Sequence, residues 1–154
     1  MEPKIVAAGA GRALSVLGDN LRIRLTGEDT GGTFALVEQT NPPGVGTPPH
    51  VHANEDEVFH VLEGAIDFTV GGRVIRAEAG AVAFLPRNVP HAFVTVGPGV
   101  TRSTVSAFPA GIEFMFRELG ELPPGPPDMA RVVEICGRYG IKFVPTAGPD
   151  GDEG

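Results

Sequence analysis

The amino-acid sequence predicts an all-β domain, an antiparallel sandwich or barrel trailed by short helices. Three observations carry that prediction. Between Glu57 and Phe108, alternating apolar and polar runs recur at eight- to ten-residue intervals, each closed by turn residues. The 154 residues include 22 Gly and 15 Pro, a share that suits many tight turns and excludes long helices and coiled coils. Apolar residues still make up 42% against 20% charged, too much hydrophobic material for a disordered chain. A chain of this length forms one domain that buries roughly 70% of its unfolded surface.

The elements follow in order. Leu21, Ile23 and Leu25 alternate with Arg22, Arg24 and Thr26, and Thr33-Phe34-Ala35-Leu36-Val37 follows; both read as strands of a half-buried sheet. Gly18-Asp19-Asn20 and the stretch from Gly27 to Gly32 punctuate them. Residues 41–49 are Pro- and Gly-rich and read as a rigid loop. Strands are then expected over 57–62, 65–70, 73–77, 81–85, 91–96 and 101–108. Gly71-Gly72 supplies the positive φ of a two-residue hairpin turn.

After Pro109 the period becomes helical. Ile112, Met115, Phe116 and Leu119 fall at i, i+3, i+4 and i+7, giving a short amphipathic helix that either covers a barrel mouth or packs outside the sheet. Asp128, beyond a Pro-Pro-Gly-Pro-Pro spacer, is the expected N-cap of a second helix, with Met129, Val132, Val133 and Cys136 on one face and Gly140 as its stop. The acidic end from Gly148 to Gly154 is expected to fray. The division expected is a barrel over 1–122, with a C-terminal helix and tail over 123–154 packed on it.

Charge narrows the function classes. A net charge of −7 disfavours nucleic acid and anionic membrane surfaces as partners. No run of ~18 apolar residues exists to span a bilayer, and the apolar run after Lys4 is short for a secretory leader. The single cysteine, Cys136, excludes an internal disulfide, fits a reducing compartment, and reads as a buried structural thiol. The expectation is an acidic cytoplasmic protein that binds a small molecule.

All four histidines, His50, His52, His60 and His91, fall in one stretch. Positions i and i+2 of a strand face the same side, so His50 and His52 converge on one point. Glu57 reaches that point from the neighbouring strand and His91 from a later one. Three imidazoles and a carboxylate suit one divalent transition metal ion (Fe, Mn, Co, Ni, Cu or Zn) rather than Ca or Mg. His60 is out of phase with Glu57 and is expected to point away. Glu55 and Asp56 read as solvated turn residues.

These residues resemble the cupin superfamily. Its first motif is complete in Gly44, His50, His52, Glu57 and Gly64. Its second is matched at Gly80, Pro86 and His91, with Asn88 in place of a glycine and Thr95 in place of an asparagine. The resemblance implies a double-stranded β-helix, the jelly-roll barrel, and a homodimer, for which apolar Val58 and Leu62 on the off-site strand face give slight independent support. The run EDEVFHVLEG and the trailing helices are similar to small single-domain cupins of the quercetin 2,3-dioxygenase-like kind.

The activity so implied is a dioxygenase acting on a small apolar or aromatic enolisable substrate, with Glu57 as the catalytic base. A metal-dependent isomerase, lyase or cyclase is the alternative, and a non-catalytic binding module a further one. Phe59 is in phase with Glu57 and Phe93 with His91. Together with Phe68 on the adjacent strand they are the expected substrate-binding residues. No Lys or Arg is in phase with the ligands, which argues against a polyanionic substrate.

Overall fold

Strand alternation decides which side chains meet inside, and the computed structural model describes the outcome for residues 1–145, with the end from Gly148 to Gly154 outside the described residues. The strands are β1 (Arg12–Val16), β2 (Asp19–Leu25), β3 (Ala35–Asn41), β4 (Gly46–His52), β5 (Asp56–Glu63), β6 (Ala65–Val70), β7 (Arg73–Glu78), β8 (Val82–Leu85), β9 (His91–Val96), β10 (Thr101–Phe108) and β11 (Ile141–Phe143). Among the described residues three helices join them: α1 (Gly27–Thr30), α2 (Ile112–Gly120) and α3 (Met129–Arg138). A six-stranded sheet runs β1-β2-β3-β10-β5-β8 and a five-stranded sheet β11-β4-β9-β6-β7, with antiparallel pairing throughout. The all-β jelly roll with short C-terminal helices is therefore the fold adopted.

In the first sheet the inward residues line up in rows across the strands. Ala35, Ala107 and Glu57 form one row, Val37, Val105 and Phe59 the next, and Gln39, Ser103 and Val61 a third. The core has two parts. Phe59, Val61, Ile66, Phe68, Leu85 and Phe93 pack between the sheets. Leu21, Ile23 and Val37 instead meet Ile112, Met115 and Leu119 of α2 and Val132, Ile135 and Cys136 of α3. The two helices thus cover the interior side of the sheet.

Several elements differ from expectation. Residues 46–52 form a strand where a loop was expected to run through Pro49. The β4–β9 register shifts between Thr47 and His50, where Pro48 and Pro49 have no N–H to donate. β1, α1 and β11 also had no sequence counterpart, and β11 does more than pack on the barrel, since Ile141 to Phe143 pair with His52 to His50. On α3 the buried face is Val132, Ile135 and Cys136, while Met129 and Val133 are half exposed. Gly64 is needed sterically: its φ is +77° and a Cβ there would lie 2.8 Å from Thr101 Cα.

One buried carboxylate fastens α2. Glu113 is fully buried, and its two oxygens accept the backbone N–H groups of Gly27 at 2.9 Å and Gly111 at 2.7 Å. Glu113→Ala strands both donors, each costing about 1–3 kcal/mol. The expected result is a loss of about 3 kcal/mol in urea unfolding at unchanged m-value.

Candidate metal centre

Two turns and two strand neighbours bring the four donors together. His50 and His52 alternate inward on β4, and His50 pairs directly with His91 of β9. Glu57 enters from β5. Asn88, at the position of the motif glycine, takes a left-handed φ of 65°, which an asparagine tolerates. Its N–H donates to the His52 carbonyl at 2.7 Å, tying the β8–β9 turn to β4. Thr95, in place of the motif asparagine, accepts the Val45 N–H at 2.9 Å and donates to the Pro42 carbonyl at 2.8 Å. It anchors the approach to β4.

The donors are all buried, and one ligand atom of each of His50, His52, Glu57 and His91 lies within 4.8 Å of the others. His52 Nε2 is 3.0 Å from His50 Nε2 and 3.0 Å from Glu57 Oε1, and His91 Nε2 is 3.3 Å from the same oxygen. The opposite ring nitrogens face acceptors: His50 Nδ1 lies 2.9 Å from the Pro48 carbonyl, and His52 Nδ1 lies 2.6 Å from Glu55 Oε1. Those acceptors assign the Nδ1–H tautomer to both rings and aim the Nε2 lone pairs at each other. Two lone pairs 3.0 Å apart beside a carboxylate repel unless a proton or a metal ion lies between them, and a divalent metal ion fits that donor set.

The protonation chemistry says the same. Burial, reinforced by the His91 charge, holds His50 neutral down to a pKa of about 4. Burial also opposes charging His52, but the Glu55 and Glu57 carboxylates outweigh it and raise its pKa to about 9. Burial would raise Glu57, yet hydrogen bonds from His52 and His91 hold it near 2. A second proton on His52 thus occupies the place suited to a metal.

Glu55 corrects the sequence reading. It is not a solvated turn residue: it is buried, and its carboxylate holds His52. Its spacing of three from His52 was the available signal. Asp56 does stay at the surface, where it pairs with Arg87. His60 is exposed on the other face of β5. Glu55→Ala should weaken metal affinity about 10–100-fold, the usual cost of losing such an outer partner, with Glu55→Gln recovering part of it. Competition against a chromogenic chelator reads both.

The tetrad opens onto a cavity of about 280 Å³ walled by Phe59, Phe93, Val37, Val105, Ile112 and Met115. Helix α2 lines its interior side, which settles the choice between covering the barrel and packing outside it. Phe68 is not on the cavity wall. It stands behind, with its ring 5.0 Å from Phe59 in an edge-to-face contact. Cys136 also borders the cavity, and burial pushes its thiol pKa up, keeping it protonated. No Lys or Arg is found among the described residues lining the cavity. Among the described residues no helix is long and apolar enough to cross a membrane.

Comparison with known proteins agrees with this geometry. Residues 37–106 match the family described as Cupin domain. The chain is 29% identical over 120 residues to "Quercetin 2,3-dioxygenase" of Bacillus subtilis (strain 168), covering 77% of this chain and 35% of that protein. It therefore spans little more than a third of the length of the curated relatives it matches. Among solved structures, the polyketide cyclase RemF from Streptomyces resistomycificus is 30% identical with a TM-score of 0.59, covering 70% of this chain and 80% of that one. KdgF from Halomonas sp. shares the fold, with a TM-score of 0.63 at 18% identity over 72% of this chain and 99% of that one. With the paired motifs, the jelly roll and the converging histidines already in place, the chain belongs to the cupin superfamily.

Proposed function

We propose that this protein is a metal-dependent dioxygenase in which His50, His52, Glu57 and His91 hold one divalent transition metal ion and an enolisable aromatic substrate fills the adjoining cavity. The observation that carries the reading is the convergence of three Nε2 atoms and one carboxylate oxygen at the end of an apolar cavity. When bound, such an ion acts as a Lewis acid that lowers the pKa of a coordinated hydroxyl and supports oxygen chemistry. Phe59 and Phe93 flank the substrate as flat apolar walls and exclude water. The Glu57 carboxylate, deprotonated at neutral pH, is the base that takes the proton the substrate hydroxyl gives up. Glu55 keeps the His52 ring in place while this happens.

The likeness to RemF supports a second reading, a cyclase or related lyase that uses the same proton transfer without oxygen. Oxygen uptake separates them. The metal-loaded protein should consume oxygen with a flavonol and be inert under argon. Product formation under argon would select the cyclase. We further propose a cytoplasmic homodimer. Exposed Leu62, Val82 and Phe84 on the outer face of β5 and β8 support the dimer, and sedimentation equilibrium tests it.

A further inference from the structure

The cavity has a second polar wall. Asp19 and Gln39 are buried and line the same cavity as the tetrad. Gln39 belongs to the inward row of Ser103 and Val61, whereas Glu57 belongs to the row of Ala107. Ser103 and Ala107 are four residues apart on β10, which at a rise of ~3.4 Å per residue is about 14 Å along the barrel. The intervening row is Val37, Val105 and Phe59. The cavity is therefore polar at both ends and apolar between.

The hydrogen bonds fix what the second wall offers. Gln39 Nε2 donates to Asp19 Oδ2 at 2.6 Å, and Asn41 Nδ2 donates to Asp19 Oδ1 at 2.7 Å. Ser103 Oγ donates to Gln39 Oε1 at 3.3 Å. Two amide donors use half of the acceptor sites of a carboxylate, which has about four. The remaining ones have no cation to meet, since the described cavity wall contains no Lys or Arg. Burial correspondingly pushes the Asp19 pKa up, against the lowering effect of Asn41 and Gln39. Such a wall accepts a neutral hydroxyl and repels a carboxylate or phosphate.

We propose that Asp19 and Gln39 form a distal subsite that accepts the hydroxyl hydrogen of an elongated aromatic ligand whose oxygen-bearing other end lies at the His50, His52, Glu57 and His91 tetrad. The proposal rests on the functional reading above and adds the substrate class to it: a polyphenol with hydroxyls at both ends, rather than an aromatic acid or a simple phenol.

Two probes test it. 3-Hydroxyflavone and 3,4′-dihydroxyflavone share the 3-hydroxy-4-keto end and differ only in the hydroxyl at the opposite end. Binding is followed anaerobically by the flavone absorbance shift, with metal-loaded and chelator-treated protein. The expected result is that loaded wild type prefers 3,4′-dihydroxyflavone by about tenfold, as one buried hydrogen bond provides. Asp19→Ala and Gln39→Leu should each reduce the preference to about twofold, the loss falling on the dihydroxy compound. Equal affinity of loaded wild type for both probes would overturn the subsite and leave the metal reading intact. A preference surviving in folded variants, checked by circular dichroism, would also overturn it. If a variant does not fold, the wild-type comparison decides alone. Binding that is the same with and without metal would refute the tetrad reading, and the subsite with it.

Discussion

Replacing His91 with Ala should abolish metal retention after dialysis, while His60→Ala should retain metal like the wild type. His91 supplies one of four donors from the turn that Asn88 closes, and its Nε2 lies 3.3 Å from Glu57 Oε1. Without it the remaining donors come from β4 and β5 alone, and the ion loses an imidazole that no neighbour replaces. The expected loss of affinity is at least about 10³-fold, more than the 10–100-fold attached to outer partners. His60 is an exposed imidazole on the same strand as Glu57 but on its other face. It controls for the removal of any histidine from this region. Metal content by mass spectrometry, with circular dichroism for fold, checks the pair. Equal loss in both variants would show that strand phase does not select the donors.

Strand phase is also the reason that the tetrad was legible in the sequence. A period of two fixes which side chains share a face, and the resemblance to the cupin motifs supplies which strands are neighbours. Phe59 and Phe93 were found at the cavity by the same rule. It failed for Phe68, because phase gives the face of a strand and not the depth behind which another ring stands. Glu55 was missed for a related reason. Its position in a turn between β4 and β5 has no period, and an acidic residue in a turn is usually solvated. The β4 strand was hidden by Pro48-Pro49, whose missing donors argue against a strand, although β4 accommodates them at a register shift. β11 was invisible locally: three residues have too little pattern, and only pairing with β4 makes them a strand. The Asp19 and Gln39 wall required knowing that β2, β3 and β10 are neighbours, which no single strand encodes.

The tetrad's protonation makes metal affinity and metal-free stability depend on pH in opposite senses. His52 carries a proton up to a pKa of about 9 in the metal-free fold, and a metal ion must displace it. Affinity should therefore rise about tenfold per pH unit up to about pH 9, on the order of 300-fold from pH 6.5 to 9, with about one proton released per ion at pH 7.5. Calorimetry in buffers of different ionisation enthalpy measures that proton. Stability of the chelator-treated protein runs the other way. The His52 pKa is raised above its unfolded value of 6.5, so its contribution is fully present below 6.5 and lost as pH rises through 9. His50 is depressed to about 4, so the unfolded chain takes up a proton that the fold refuses, and stability falls from 6.5 towards 4. Glu57, held near 2, adds a further loss only below about pH 4.5. The metal-free protein should be most stable near pH 6.5 and lose on the order of 3 kcal/mol by pH 9. Bound metal should flatten the alkaline limb by replacing the proton. Urea unfolding across pH, with and without metal, decides it: a metal-free protein that gains stability from pH 6.5 to 9 would mean that Glu55 and Glu57 do not hold a charged His52.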